Sequence, residues 1–589
     1  MPEGYVVLVL HAHLPYVLSH GKWPYGSDWL SEAASETYIP LLNLIGSLSR
    51  ARRSVHFTVG ITPVLCEMLA SRLFKSGLRD YLEEKIRAAE ADLRAFGDRG
   101  DAGMATLAAQ WRTFYESRLA DFREVYKEDL LGAFRQFQDE GQIEIITSAA
   151  THAYLPLLGL DSSIDAQVRQ GVATYRKHFL REPAGMWLPE CAYRPGSDTP
   201  ERQPCGAVRR GIETFLAAHG LKYFFADGRH FQARPEDKGD DDAIVEADSG
   251  LKPERDAQGP GMYADLTGGA RPPLLPDELV QGPALTEEQM PIYAVHQTGR
   301  PGSETAVFTR DTETSQQVWS ADFGYPGDPY YLEFHKKRDP GGLRYWRVTD
   351  RLADLGSKMA YEPDRAGGRV REHARHFARM VQEKLRRYHR ETGKTGVLTL
   401  PFDAELFGHW WFEGIAWLGD LVSAFDENYV TIERASTVLE KTGPPGAISL
   451  PEGSWGEGGR HSIWYNKETA WTWRCLHEAE RDMERLAGKA ADGETPERLL
   501  KQMARELLLM ESSDWQFLIS TGTAGDYGKS RFLGHYHAFG ELGRMLDRYG
   551  KRGALSAHDR RRLGLIETKD AVFDDVKLEW FEERTGDGL

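Results

Sequence analysis

The sequence predicts an α/β fold in which a barrel of alternating strands and helices carries an inserted helical subdomain and is followed by a C-terminal α-helical domain. Two observations support this prediction. Short apolar runs of strand type recur through the amino-terminal two thirds of the chain, six of them followed by His, Glu, Asp or Arg, and amphipathic helical patterns dominate the remainder. Since the carboxyl ends of barrel strands form the face where active sites lie, these ionisable residues predict an enzyme.

The central stretch is 396–413, with the sequence GVLTLPFDAELFGHWWFE. Its apolar run is short and lies between Gly and Pro, which favours a strand buried on both faces and leaves Asp403 in the loop at its carboxyl end. A carboxylate followed by the paired indoles of Trp410 and Trp411 is typical of a site for an uncharged polar ring. A helix-capping Asp with two core indoles remains the alternative.

Another predicted strand, 5–10, lies at the start of the chain and leads into His11 and His13. Side chains alternate along an extended chain, so both imidazoles point the same way and can bind either a metal ion or a ring of hydroxyls. Histidines that only hydrogen-bond to neighbouring backbone are the alternative.

Five further apolar runs complete the predicted strand set. The last four of them lead in turn towards His152, Glu190, Asp227 and Arg310, and core packing alone does not produce such clustering on one face. The runs are 55–59, 143–147, 186–189, 222–225 and 306–309.

Composition and periodicity divide the chain into domains. We expect 1–415 to form the catalytic barrel, with 75–140 as an inserted helical subdomain, because that segment holds more amphipathic helix than one crossover needs. The remaining residues, 416–589, are expected to form the helical domain and to contribute to the active-site cleft.

One segment, 233–289, is acidic and rich in Pro and Gly. This composition predicts either a disordered insertion or a lid over the site. Tyr263 inside the segment and Tyr293 just beyond it are the residues best suited to reach inward as part of a lid.

Charge and composition exclude several classes of function. The formal net charge of −16, without a long basic block, argues against nucleic acid or an anionic membrane as partner. No signal peptide and no membrane-spanning segment is recognisable, so we expect a cytoplasmic protein. The four cysteines lack CxxC spacing, which argues against a disulfide framework or a thiolate metal site. A neutral substrate fits best.

Two carboxylates from separate strand ends, Glu190 and Asp403, are the minimum set for glycoside cleavage. The 15 Trp residues suit stacking against sugar rings, although most indoles in a chain of this size pack in the core. Two other functions remain open on these residues. One is a metal-dependent barrel hydrolase with His11, His13 and an Asp as ligands, and the other is a glycan-binding protein without catalysis.

Four sequence blocks, in this order, resemble the signature regions of glycoside hydrolase family 57. Within that family the chain is most similar to the 1,4-α-glucan branching enzymes, and the likeness continues through SWGEGG at 454–459 and SSDW at 512–515. It covers nearly the whole chain apart from 233–289. The four blocks are HAHLPY at 11–16, THAYLP at 151–156, WLPECAY at 187–193 and FDAELFGHWW at 402–411.

The resemblance implies a (β/α)7 barrel that cuts α-1,4 glucan with retention and reattaches it as an α-1,6 branch, as in glycogen-type glucan synthesis, without a metal or other cofactor. On the family pattern Glu190 is the nucleophile and Asp403 the acid/base. The implied partner is α-glucan, and the protein is expected to be a monomer or small homo-oligomer. The positions that match sugar subsites are His11, His13, Trp23, His152, Arg310, Trp319, Gly327, Trp410, Trp455, Trp464 and Asp514.

The sequence departs from the family pattern at two places. Thr523 stands where similar enzymes have Gln, and 233–289 replaces or enlarges the loop expected to shield the intermediate from water. Both departures concern transfer rather than bond cleavage. An α-amylase-like hydrolase or a 4-α-glucanotransferase of the same family is therefore the alternative function.

Overall fold

The structure is a computed structural model. It describes residues 2–53, 55–196, 209–231, 290–299, 304–320, 323–425, 429–443, 446–488 and 493–583. The predicted lid segment 233–289, with Tyr263, lies outside the described residues.

A closed barrel of parallel strands forms the centre of the described residues. Seven strands pair in the order β1-β2-β3-β4-β5-β7-β8, and β1 closes the ring by pairing with both β8 and β2. The barrel confirms the predicted fold class. The strands are β1 (Gly4–Ala12), β2 (Phe57–Ile61), β3 (Ile143–Ser148), β4 (Gly185–Trp187), β5 (Tyr223–Asp227), β6 (His296–Thr298), β7 (Thr305–Arg310), β8 (Gly396–Asp403) and β9 (Val430–Ile432).

All seven barrel strands are buried along their whole length, which explains why their sequences are continuous apolar runs rather than alternating ones. The register of β1 against β8 aligns His11 with Asp403, so both lie at the carboxyl end of the barrel. The sequence predicted Asp403 in the loop beyond this strand. In the structure Asp403 is instead the last residue of β8.

Three details of the strand set differ from the prediction. Strand β2 begins at Phe57 rather than at residue 55, since His56 has a φ of 40° and interrupts extended backbone before it. The short strands β6 and β9 were not predicted; β6 pairs antiparallel with β7, and β9 pairs with the start of β1.

Helices surround the barrel and form the carboxyl-terminal region. The first two are joined by a π-helical stretch, Ala34–Tyr38. The α-helices of the described residues are Ser27–Ala33, Ile39–Arg50, Pro63–Ala70, Arg72–Asp98, Ala102–Ala120, Leu130–Asp139, Asp161–Phe179, Ile212–Ala218, Thr312–Trp319, Pro363–Thr392, Gly414–Ala424, Ala435–Thr442, Ala470–Ala487, Glu494–Met510, Asp514–Thr521, Gly525–Arg552 and Ala557–Lys569.

Two long helices, Arg72–Asp98 and Ala102–Ala120, form a hairpin between β2 and β3, where the sequence predicts an inserted helical subdomain. The exact domain limits stay a prediction. A second excursion, 323–362, was not predicted; it is joined by short antiparallel bridges and packs on the hairpin. The Trp111 indole donates to the carbonyl oxygen of Arg344 at 2.5 Å in this contact.

The carboxyl-terminal helices dock on the barrel face that carries the strand ends. Ala153 forms a β-bridge with Ser512, and the Gln167 side-chain amide donates to Glu511 Oε2 at 2.6 Å. None of the helices in the described part of the chain is long and apolar enough to cross a membrane.

Candidate active site

A cavity of about 410 Å³ lies at the carboxyl end of the barrel. Its walls come from barrel strand ends, from the 323–362 excursion and from the carboxyl-terminal helices, so residues far apart in sequence meet there. Nine of the predicted site residues line it: His11, His13, Trp23, His152, Glu190, Asp403, Trp410, Trp455 and Asp514.

Sequence reasoning missed part of the lining. Glu405 and His409 lie in the 396–413 stretch but received no role, and Thr523, noted only as a departure, also lines the cavity. Leu14 and Pro15 belong to the HAHLPY block but were given no role. The others come from segments without a strand-end signature: Pro24, Tyr25, Trp29, Glu32, Phe334, His335, Lys337, Leu355, Phe517 and Leu518.

Five predicted residues are not among those that line the cavity: Arg310, Trp319, Gly327, Trp464 and Tyr293. Trp464 is fully buried and stacks on Tyr154 at 4.5 Å, so core packing explains its position. Tyr293, predicted as a possible lid residue, is buried, and its hydroxyl donates to Asp311 Oδ2 at 3.0 Å.

Glu190 follows β4 and is held by the carboxyl-terminal region. Its Oε2 accepts a hydrogen bond from the Trp455 indole at 2.7 Å, and its Oε1 accepts one from Ser513 Oγ at 3.4 Å. Its backbone is left-handed, with a φ of 60°, a conformation that non-glycine residues adopt mainly where the surroundings enforce it, often at functional sites. The side chain is 6% exposed and lies on the cavity wall.

Arg310 does not line the cavity but contacts Trp455, which does. Its guanidinium forms an ion pair with the fully buried Asp227 and lies 5.5 Å from the centre of the Trp455 ring. Arg229 also donates to Asp227 and to the carbonyl oxygen of Trp455, the latter at 2.6 Å. Burial alone would raise the pKa of Asp227, but the two guanidiniums hold it at about 2. Arg310 therefore supports Trp455.

Asp403 ends β8 and faces the cavity with 9% of its surface exposed. Burial raises its carboxyl pKa well above the usual value, and the charges of Glu405 and Glu190 raise it further, while Arg310 acts in the opposite direction. A raised pKa favours the protonated form of a carboxyl group, which can donate a proton.

Glu405 lies two residues after Asp403 and is almost fully buried. Its Oε1 accepts hydrogen bonds from the Tyr38 hydroxyl at 2.5 Å and from the His13 backbone N–H at 3.1 Å. Burial raises its pKa to about 8 against the lowering effect of these donors. Its charge therefore changes at slightly alkaline pH, next to Asp403.

Three histidine rings form one wall of the cavity. His13 lies 4.0 Å from His152 between ring centres, and His11 stacks on Trp187 at 4.5 Å. Burial, followed by the neighbouring histidines, lowers the pKa of His11 and of His152, so both rings are neutral at pH 7. Gly60 is required beside them, since a Cβ there would lie 2.9 Å from His11 Nδ1.

This arrangement has the parts needed for glycoside chemistry. Glu190 and Asp403 enter one cavity from separate strands and interact electrostatically. One is oriented by hydrogen bonds and the other has a raised pKa, which separates a nucleophile or base from a proton donor. The neutral histidines offer ring nitrogens to hydroxyl groups.

Comparison with known proteins agrees with this chemistry. The family model described as glycosyl hydrolase family 57 matches residues 7–451. The chain belongs to this family. A second model, the C-terminal domain of 1,4-alpha-glucan branching enzymes, matches residues 475–581.

Individual family 57 proteins resemble nearly the whole chain. A 1,4-alpha-glucan branching enzyme from Thermococcus kodakarensis is 41% identical over 580 residues, which cover 98% of this chain and 78% of that protein. The crystal structure of a family 57-type branching enzyme from Pyrococcus horikoshii has a TM-score of 0.83 at 37% identity and covers 99% of this chain and 97% of its own.

Another similar structure is that of an α-amylase, AmyC from Thermotoga maritima. It has a TM-score of 0.78 at 29% identity and covers 99% of this chain and 100% of its own. The predicted family membership is thus confirmed, and the similarity in fold extends to a protein described as an α-amylase.

Proposed function

We propose that the protein is a retaining 1,4-α-glucan branching enzyme. The observation that carries the proposal is the match of residues 475–581 to the branching-enzyme C-terminal domain. This region supplies Asp514 to the cavity that contains Glu190 and Asp403, and its Ser513 donates a hydrogen bond to Glu190. The relatives from Thermococcus and Pyrococcus support it.

In the first half of the proposed reaction, the Glu190 carboxylate attacks the anomeric carbon of an α-1,4-linked glucose unit. The glycosidic C–O bond breaks, and Asp403 donates its proton to the departing O4 oxygen. A covalent glycosyl-Glu190 forms and the reducing-end part of the glucan leaves. The hydrogen bonds to Glu190 and the raised pKa of Asp403 suit these roles.

In the second half, Asp403, now a carboxylate, takes the proton of a 6-hydroxyl on an acceptor glucan. The acceptor oxygen attacks the anomeric carbon, the bond to Glu190 breaks, and an α-1,6 branch forms. Two displacements give net retention. The exposed Trp23 and the half-buried Trp410 suit stacking against glucose rings of the donor or acceptor.

The test is incubation of the purified protein with amylose, followed by enzymatic debranching of the product. New α-1,6 linkages should greatly exceed released reducing ends, and Glu190→Gln should remove both. Release of reducing ends without branches would contradict the proposal. The same preparation tests, by gel filtration, the proposal that the enzyme is a monomer or small homo-oligomer; a cytoplasmic location is part of the proposal.

An α-amylase-like hydrolase is the second candidate. The structural similarity to the Thermotoga α-amylase over the whole chain favours it, as does Thr523 in the cavity wall where similar enzymes were expected to have Gln. The two candidates share the first displacement and differ in whether a glucan hydroxyl or water completes the second. The ratio of branches to reducing ends separates them.

A further inference from the structure

Three side chains in the cavity wall, His13, His152 and Asp514, lie in an arrangement that fits a transition-metal ion. One potential ligand atom from each lies within 4.8 Å of the others. His13 Nε2 is 3.0 and 3.2 Å from the two carboxylate oxygens of Asp514. Ligand atoms in a tetrahedral zinc site with bonds of about 2.0 Å are separated by about 3.3 Å. We propose that this cluster binds Zn²⁺ as an inhibitor of the enzyme.

The rings are held in the orientation that metal ligands need. His13 Nδ1 is hydrogen-bonded to Thr62 Oγ1 at 3.1 Å, and His152 Nδ1 is hydrogen-bonded to Ser513 Oγ at 3.0 Å. An oxygen partner at one ring nitrogen fixes the tautomer and directs the other nitrogen to a metal. The carboxylate of Asp514 is oriented in the same way by Ser512 Oγ at 2.5 Å.

Of the two ring nitrogens that would bind the ion, His13 Nε2 contacts the Asp514 carboxylate, whereas His152 Nε2 lacks a partner within the described residues. His152 Nε2 is buried and makes no hydrogen bond there, and neither does either ring nitrogen of His11. A buried imidazole nitrogen without a partner is costly, and a ligand that contacts it gains that energy. Sugar hydroxyls and a metal ion are the two ligand types that fit it, so they compete for one position.

The surroundings favour a cation. Glu190 Oε1 lies 3.9 Å from His152 Nδ1, and the Asp514 carboxylate lies 3.0 Å from His13 Nε2, so two acidic side chains adjoin the position. Lys337, which lines the cavity, is paired with Glu32 at 3.4 Å, and Arg310 is paired with the buried Asp227. Two imidazoles and one carboxylate form a ligand set that zinc prefers over magnesium, which takes oxygen ligands.

A second His–His–Asp group in the protein, formed by His20, His535 and Asp570, provides a contrast. His535 has both ring nitrogens engaged, Nδ1 with Glu506 at 2.8 Å and Nε2 with the Arg531 guanidinium at 3.3 Å. A fixed cation at the ring repels a metal ion, so this group should not bind zinc. It serves as an internal control with the same residue types.

Binding of zinc can be measured directly. The full-length protein is stripped with EDTA, dialysed into a non-chelating buffer and titrated with ZnCl₂ by calorimetry. We expect one zinc per chain at the site. His152→Asn and Asp514→Asn should each weaken it by about tenfold or more, whereas His20→Gln should leave it unchanged. Asn tolerates the left-handed φ of 59° at His152, and circular dichroism checks the fold of each variant.

Inhibition is a separate measurement that rests on the proposed function. Zinc should slow the wild-type reaction on amylose, EDTA should restore it, and equal Mg²⁺ should have no effect. Maltooligosaccharide added to the calorimetry cell should weaken zinc binding, since both ligands need His13 and His152. Calorimetry does not depend on which reaction the enzyme performs, so loss of the proposed function leaves the metal site testable.

The inference is overturned if zinc does not bind, if folded His152→Asn and Asp514→Asn bind it as well as the wild type, or if maltooligosaccharide leaves the affinity unchanged. Zinc that binds at this cluster and accelerates the reaction would overturn the inhibitory role.

Discussion

The indole of Trp455, a residue beyond the predicted barrel domain, donates a hydrogen bond from Nε1 to Oε2 of Glu190 at 2.7 Å. The peptide N–H of Trp455 also donates to the Glu190 carbonyl oxygen at 3.1 Å. One loop therefore fixes both the backbone and the carboxylate of the proposed nucleophile. The barrel alone does not complete the site.

Trp455→Phe removes this indole hydrogen bond and keeps an aromatic ring. We expect kcat/KM on amylose to fall about 10- to 100-fold, because a hydrogen bond to a charged group contributes about 1.5–3 kcal/mol. Trp417→Phe is the matched control, since the Trp417 indole N–H is buried without a partner within the described residues and lies outside the cavity lining. Full activity of Trp455→Phe would show that the hydrogen bond does not orient Glu190 for attack.

Asp227→Asn should lower both stability and activity, although Asp227 does not line the cavity. The substitution leaves the guanidiniums of Arg310 and Arg229 without their buried carboxylate, and breaking such a group costs about 3–5 kcal/mol. We expect a clear fall in the free energy of unfolding, measured by denaturant titration, together with loss of activity as Trp455 loses support. Glu84→Gln, which breaks an exposed pair with Lys22, should change stability by less than about 1 kcal/mol. Equal stability of the two variants would contradict the supporting role of Asp227.

The seven barrel strands and both proposed catalytic carboxylates were predictable from sequence for the same physical reason. Strands buried on both faces give continuous apolar runs, and the chemistry in such a barrel follows directly after them. The runs ahead of Glu190 and Asp403 carry this signal clearly. Strands β6 and β9 have three residues each and depend on pairing with β7 and β1, so no local sequence pattern predicts them.

The remaining residues of the site are positioned by tertiary contacts and could not be predicted from local sequence. Phe334 and His335 reach the cavity from an irregular excursion whose position depends on the helical hairpin, and nothing in their local sequence indicates this. Trp464 matches a sugar-binding pattern in sequence, whereas in the structure it is fully buried, stacks on Tyr154 and lies outside the cavity lining. An indole has the same local signature in a core and in a subsite. Arg310 was placed at a strand end correctly, yet its partner Asp227 could be assigned only from the fold.

Glu405→Gln should change the pH dependence of catalysis. Asp403 must be protonated for the first displacement, so activity falls as pH rises through its pKa. Burial raises this pKa, and the charge of Glu405 raises it further. Because the pKa of Glu405 is about 8, its charge is present in the alkaline range, and its removal should move the alkaline limb of the kcat/KM profile to lower pH. Glu413→Gln removes another buried carboxyl group with a raised pKa, of about 7, outside the cavity lining and should leave the limb in place. A limb that stays or moves to higher pH in Glu405→Gln would contradict the assignment of Asp403.

Glu480 should make stability depend on pH. Its buried carboxyl accepts the Gly159 N–H at 3.0 and 3.1 Å, and burial raises its pKa from 4.5 to about 8. The folded state thus binds this proton more tightly than the unfolded state, so the stabilisation is fully present below pH 4.5 and is lost as pH rises through about 8. Glu480→Gln should flatten the dependence of the melting temperature over this range. Parallel wild-type and variant curves would show that Glu480 does not titrate there.

Trp23 should affect transfer more than bond cleavage. Its side chain is 71% exposed and lies in the lining of the cavity, with Tyr25 and Trp29 nearby in the chain. An exposed indole at such a rim suits stacking on a glucose ring of an incoming acceptor, whereas water needs no such contact. Trp23→Ala should therefore lower the branching rate by about 5- to 10-fold, from a stacking contribution of about 1–1.5 kcal/mol, while the release of reducing ends changes less.

Tyr429→Ala is the control, since this aromatic residue is 40% exposed but contacts the first residues of β1, at the other end of the barrel. Debranching of the amylose product, with reducing ends measured in parallel, gives both rates. An equal fall in branching and hydrolysis would place Trp23 in donor binding instead.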